Sequence, residues 1–476
     1  MLRATKVFLL FLLVGSGRPA HVSDVTGLIR AVNNGSASDT VVIESGVYAL
    51  PGPLQPKEGM TIRGAGAGET VLCTADSWDP GVDGLPDRAT DHTSANREAY
   101  LFDLGSGTNE VTISDMTLTG PQLHGAAYGN DCDYLTLRNL VVRDFLWSGI
   151  RTWRMDRASI HDVEFINAGG KFGVTGGGIY ATWMKFSAIY DNTFIRLDGA
   201  PNFYGIKGRQ FKHTRLHHNT IRVGFSIELP HENDHTVEID HNYLDGAVSI
   251  PKGHGGGSVP QSGYTFNIHH NYFTRSYSLE WPRNAVEVHH NLFDFEPEQD
   301  GGNLISNFSR HAAPGPTSFH NNLVRNPGRG ILWNRGPYNR FSFRHNHVQT
   351  GTTSTPRTEG LFGLPQETDF STIEISDNII ECIGLPRPLL RKHGHSEAMI
   401  RNNTLVNVSD ADAYENPATE EPRGLQKPLS FSCGAHDQYL VDGWDLHDRN
   451  ARRSSGRRRV SAFSASGTRE EKAEQR

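Results

Sequence analysis

One short phrase returns about a dozen times along this 476-residue chain. It reads apolar-x-x-Asn-x-apolar, often with His just before the Asn. It occurs at Ile189–Asn192, Leu216–Asn219, Ile239–Asn242, Ile268–Asn271, Val288–Asn291, Phe319–Asn322, Phe343–Asn346, Ile375–Asn378 and Ile400–Asn403. Degenerate copies sit at Val111–Leu118, Leu137–Val142 and Ile160–Phe165. Subtracting consecutive Asn positions gives 27, 23, 29, 20, 31, 24, 32 and 25. Self-similarity at 20–50 residues is the mark of a solenoid, propeller or array. A solenoid also fixes which side chains share a face.

Within each repeat the apolar residues alternate with period 2, which is strand and not helix. The repeat ending at Asn242 shows three short runs: Gly224–Glu228, Thr236–Ile239 and Tyr243–Leu244. Helical periodicity is missing, which excludes leucine-rich, ankyrin and other helix-bearing solenoids. A propeller needs four antiparallel strands per ~40–45 residues, more than this repeat holds. The expected architecture is all-β: a parallel β-helix of about a dozen coils with strands stacked about 4.8 Å apart. Before the coils, Ser23 or Asp24 can cap a helix in which Val25, Leu28, Ile29 and Val32 share a face. Such a helix covers the apolar end of a first coil.

The repeated Asn is read as structural, because Asn tolerates left-handed backbone and bonds neighbouring backbone groups. The repeated His residues fall on the same turns and are expected to be exposed turn residues, not a metal array, because copies several coils apart cannot converge on one ion. Net charge is −7, so nothing suggests a nucleic-acid partner. Four well-separated cysteines, Cys73, Cys132, Cys382 and Cys433, show no metal-knuckle spacing and read as small buried hydrophobes. Residues 1–20 read as a secretory signal: Arg3 and Lys6, the apolar run Val7–Val14, then Arg18-Pro-Ala20. That run is too short to span a bilayer. Residues 21–110 are then the cap and first coils, 111–410 the repeats, and 411–446 a C-terminal cap region. Residues 447–476, rich in Arg, Ser, Glu and Lys, should be a disordered tail.

From about Ser23 to Leu405 the chain resembles the right-handed parallel β-helix proteins of the pectin-lyase-like superfamily. The resemblance rests on the capping helix, the three-strand coils and the Asn between second and third strands. It implies a carbohydrate ligand, since the superfamily holds pectate and alginate lyases, chondroitinase B, polygalacturonases and carrageenases. Non-enzymatic adhesins and phage tailspikes share the fold. In its enzymes the substrate lies across the first strand of each coil. Fold analogy sets a prior and nothing more.

Aligning the first strands on Ile150, Ile179, Ile206, Ile227, Ile250, Leu279, Ile305 and Leu332 places the following residues outward. These are Arg151, Tyr180, Lys207, Glu228, Pro251, Glu280, Ser306 and Trp333. Flanking them are Arg209, His231, Lys252, His254, Trp281, Arg283, Asn307, Arg310, Asn334 and Arg335. So many cations on an acidic chain suggest a groove for an anionic ligand, with Trp281 and Trp333 able to stack on sugar rings.

Two chemistries suit that strip. In β-elimination on a uronate polymer, Lys252 or Lys207 is the base, and Arg283 or Arg209 grips the carboxylate with two hydrogen bonds. The related alginate lyases and chondroitinase B imply a calcium ion. Here Ala247-Val248 stand where the paired glutamates precede the family's lysine, so Glu228 and Glu280 from adjoining coils would have to hold it. In the second chemistry Glu228 and Glu280 act as a hydrolase or transferase pair. A non-catalytic glycan-binding surface is the third reading.

Overall fold

The computed structural model describes residues 19–80, 94–170, 176–200, 202–228, 236–252, 265–275, 277–279, 285–295, 303–307, 316–327, 330–334, 340–351, 360–363, 373–390 and 398–410. The chain divides into two compact units, residues 1–416 and 417–476, and every described residue belongs to the first. The expected C-terminal region, the tail, Cys433 and all but the end of the signal segment lie outside the described residues.

The coils form as expected. One 11-stranded sheet carries the first strand of each coil, and a 26-stranded sheet carries the others. Successive coils pair in parallel and in register. The column Ile160, Ile189, Leu216, Ile239, Ile268, Val288, Phe319, Phe343, Ile375 and Ile400 runs unbroken. Nearly all of its members are fully buried, and each aliphatic contributes about 1.5–3 kcal/mol by leaving water. Phe165 stacks on Phe194 at 4.6 Å, and Phe273 on Phe293 at 4.5 Å. The helix spans Val25–Asn33, with Leu28 and Val32 buried; Asp24 is the cap and accepts from the Gly27 N–H at 2.7 Å. Ala20 already pairs with Val41.

The Asn row is a continuous buried ladder from Asn192 to Asn403. Each Asn side-chain N–H donates to the Oδ1 of the Asn one coil on, and its backbone N–H donates to the same oxygen. For Asn242 and Asn271 these distances are 2.9 and 3.0 Å. The side-chain nitrogen also reaches the previous coil, as from Asn271 to the Ile239 carbonyl at 2.8 Å.

Two expectations need correction here. The left-handed residue is not the ladder Asn but the one before it. Asp191, His218, His241, His270, His290, Asn321, His345, Asp377 and Asn402 all have φ between 53° and 57°. His, Asp and Asn are the non-glycine residues that tolerate this region best, which accounts for the His-Asn pairs. The histidines are also not simply exposed. His217, His241, His269, His270, His289, His290 and His320 are half-buried in columns. In the earliest coils the same corner is present at Asp115, Asn139 and Asp162, but Met116, Leu140 and Val163 follow it. There an aliphatic stack replaces the ladder. The junction is the Val163 N–H, which donates to Asn192 Oδ1 at 3.1 Å.

Candidate functional site

The face singled out from the sequence lies on the 11-stranded sheet, but its register differs from the expected alignment. Ile150, Ile179 and Ile206 are Cα partners as expected. Ile206 then pairs with Phe225 and not Ile227; Val248, Tyr277, Ile305 and Leu332 follow. The slip is two residues, so strand parity is kept, and the expected row separates into two. One runs Arg151, Tyr180, Lys207, Ser226, Ser249, Ser278, Ser306, Trp333. The other runs Trp153, Thr182, Arg209, Glu228, Lys252. Lys207 is therefore opposite Ser226, and Arg209 is opposite Glu228. The last pairing crosses a bulge, because three residues from Ser249 to Lys252 face two from Ser226 to Glu228. Pro251 falls inside it, where its missing N–H is tolerated.

The second row thus alternates cation, anion and cation on three adjacent strands. Arg209 Nε donates to Glu228 Oε2 in a short ion pair. The Glu228 side chain is 7% exposed and that of Arg209 23%. A carboxylate so buried needs a cation beside it, and losing either partner would be costly. In the first row, Lys207 Nζ lies 5.0 Å from the centre of the Tyr180 ring and 5.8 Å from that of Tyr204. Arg151 plays another part. It is 1% exposed, with its guanidinium 4.3 Å from the Tyr180 ring centre and bonded to the Thr182 hydroxyl at 3.3 Å. It cements aromatic side chains and is closed to solvent.

Lys252, Asn307 and Trp333 occupy strands whose side chains lie outside the description. Glu280, Trp281, Arg283, His231, His254, Arg310 and Arg335 lie outside the described residues altogether. One residue escaped sequence reasoning. Lys212, 6% exposed, bridges in register with Lys185, and burial, then the Lys185 charge, lowers its pKa. Its only sequence signal is a lysine just past a first strand.

Among the described residues one group has metal-ligand spacing: Glu238, Asp240 and His269, with ligand atoms within 4.8 Å of one another. Arg215 already holds Asp240 by two hydrogen bonds, at 2.8 and 2.7 Å. Against burial, the bonds from His241 and Arg215 hold that carboxyl well below its ordinary range. Nearby, burial and then neighbouring imidazoles bring His270 and His320 down to about 4 and His289 to about 3; Arg344 adds its charge at His320.

No family model matches the chain. The tailspike protein of E. coli bacteriophage HK620, solved in complex with a pentasaccharide, superposes with TM-score 0.53 at 12% identity, covering 81% of this chain and 74% of that one. The chain has the right-handed parallel β-helix fold of the pectin-lyase-like proteins. The β-helix also aligns with the A-module of the Azotobacter vinelandii mannuronan C-5 epimerase AlgE6, with TM-score 0.47 and 13% identity over 82% of this chain and 97% of that one. Two curated relatives from the same organism, the mannuronan C5-epimerases AlgE5 and AlgE2, are 34% identical over 109 residues. That is 21% of this chain and 10% of theirs, so the β-helix matches about a tenth of the length of these relatives. No helix among the described residues is long and apolar enough to cross a membrane.

Proposed function

We propose that this β-helix is a secreted enzyme that acts on an acidic, uronate-containing polysaccharide by removing the proton next to the sugar carboxylate. The observation that carries this is the row Arg209, Glu228, Lys252 on adjacent first strands. The local identity to mannuronan C5-epimerases supports the same class of substrate.

Removing that proton puts negative charge on the carbon and the carboxylate. A guanidinium stabilises this charge if it is held in place, and donors fixed in advance need not reorganise during the reaction. Glu228 does the holding in this reading. It fixes Arg209 from below while the rest of the guanidinium faces substrate. Lys252 is the base, with Lys207 the alternative. The abstracted proton is either replaced from the opposite face, inverting the centre, or the C4–O bond breaks, its electron pair leaves with the oxygen, which takes up a proton, and a C4–C5 double bond remains. Under this proposal the sequence-derived candidates keep their roles: Arg283, Arg310 and Arg335 as further cations for the sugar carboxylates, Glu280 as a second acidic group, and His231, His254, Asn307, Trp281 and Trp333 as sugar-binding groups.

Calcium fits this arrangement poorly. The one described carboxylate of the expected pair, Glu228, is already neutralised by Arg209, and no step here passes through a metal. The same ion pair disfavours Glu228 as half of a hydrolytic carboxylate pair.

The test uses polymannuronate, polygalacturonate, chondroitin and a neutral glucan in D2O. Deuterium entering at C5 marks replacement of the proton, and new absorbance near 235 nm marks elimination, which leaves C5 without hydrogen; either signal supports proton removal. Reducing ends without either signal would mean hydrolysis and overturn the proposal. Binding with no turnover would reduce the groove to a lectin-like surface and overturn it as well.

A further inference from the structure

We infer that the paired imidazoles at the corner before the Asn ladder form a binding site for a square-planar divalent transition metal, copper(II) or nickel(II). This corner lies on the 26-stranded sheet and not on the first-strand face. The site does not depend on the function proposed above.

The backbone makes the pairs. A strand-end residue is followed by a left-handed one, which turns the second side chain back beside the first. Where both are His, the two Nδ1 atoms meet at 2.8 Å: His217 with His218, His269 with His270, His289 with His290. The paired rings are near perpendicular, at 84°, 90° and 88°. Two nitrogens bound at ~2.0 Å and at right angles about one ion are ~2.8 Å apart, the edge of the square that copper(II) and nickel(II) favour. A tetrahedral zinc would need about 3.3 Å.

The second nitrogen of two of these strand-end rings supplies the next observation. His269 Nε2 lies 3.1 Å from Glu238 Oε1, and His289 Nε2 lies 2.9 Å from Asn267 Oδ1. Both partners are acceptors, so the ring proton sits on Nε2 and the Nδ1 lone pair faces the partner His. A ring whose far N–H is fixed by a carboxylate or amide oxygen is the usual form of a metal-bound histidine. Without metal, the Nδ1–H of His270 or His290 satisfies that lone pair. Binding moves this proton to its own Nε2, and the two rings turn so that both Nδ1 lone pairs point at an ion to one side of the N–N line.

The pairs are also rigid. His218, His241, His270 and His290 stack at 5.1, 5.2 and 5.4 Å, and His269, His289 and His320 at 5.1 and 5.0 Å. The carboxylates nearby are poorer candidates, because Arg215 holds Asp240 and His269 holds Glu238.

The test titrates the full chain with copper(II) chloride alone and records the electron paramagnetic resonance spectrum. The expected spectrum is axial, with splitting from at least two nitrogens. H270N/H290N removes one ring from each of two pairs. The corner accepts Asn, since Asn321 and Asn402 hold the same conformation. The His217–His218 pair remains, so the number of tightly bound copper ions should fall, each altered corner binding at least tenfold more weakly. An unchanged number of tightly bound ions in the folded double variant, or a wild-type spectrum with oxygen ligands only, would overturn the assignment. If circular dichroism shows that H270N/H290N does not fold, Glu238→Ala/Asn267→Ala serves instead. It leaves the rings and removes the oxygens that fix the His269 and His289 tautomers, and an unchanged number of tightly bound copper ions in that variant would also overturn the assignment.

Discussion

Asn271→Ala is the sharpest test of what holds the coils together. Asn271 is fully buried, and its side chain makes five hydrogen bonds. Its Oδ1 accepts from the backbone and side-chain nitrogens of Asn242, at 3.0 and 2.9 Å. Its Nδ2 donates to the carbonyls of Ile239 and His269, at 2.8 and 3.0 Å, and to Asn291 Oδ1 at 3.1 Å. Alanine leaves the Asn242 N–H buried without its acceptor, at about 1–3 kcal/mol, and forfeits the weaker amide bonds at about 1 kcal/mol. The expected loss is roughly 2–4 kcal/mol, read as a lower urea midpoint at unchanged slope. Asn271→Asp separates the two halves of this reasoning. It keeps the acceptors but sets a buried carboxylate against two carbonyls and an amide oxygen, so it should destabilise at least as much. A shift below about 0.5 kcal/mol in either variant would refute the ladder's structural role. A stable variant that has lost activity would refute it too.

On the candidate site, Lys252→Ala should reduce turnover by about 10²–10⁴ with the fold retained, as steady-state rates on the responsive polymer will show. Glu228→Gln should cost up to about 10²-fold by letting Arg209 shift; intact activity would detach that ion pair from catalysis. Chelator treatment should leave the rate unchanged, and a fall would restore a metal to the groove. Stability should also decline in acid. The pKa values of His270, His289 and His320 lie below those of the unfolded chain, so the unfolded chain takes up protons first. The stability they contribute is complete above about pH 6.5 and falls as pH drops towards 4 to 3. Asp240 and neighbouring imidazoles face His270, and Arg344, His290 and His345 face His320; their charges act on these groups. A melting temperature that stays flat from pH 7 to 4.5 would contradict this.

Much of the scaffold was legible because its periods are local. Alternation marks strands, and the Asn spacing marks coils whatever the loop lengths between. The register of the first strands was not legible. Gly224–Glu228 offers two buried apolar residues, Phe225 and Ile227, two positions apart, so the alternation is satisfied by either. Only the stacking of Phe225 on Ile206 and Val248 decides between them, and that is a long-range contact. The same ambiguity hid the pairing of Glu228 with Arg209. The His pairs were visible as letters, but their meeting depends on a left-handed residue, which no hydrophobic period announces.

The ladder runs one way. From Asn192 to Asn403 every amide offers its hydrogen to the coil ahead and its oxygen to the coil behind. A partly built stack therefore has unlike ends. Its leading edge shows two hydrogens, from the backbone and side chain of the last Asn, waiting for a single oxygen. The coil that arrives supplies that oxygen and shows two hydrogens in turn. Assembly in the order of synthesis thus finds each new coil presented with a template, and whole coils can be added or removed without changing the rule by which the next one docks.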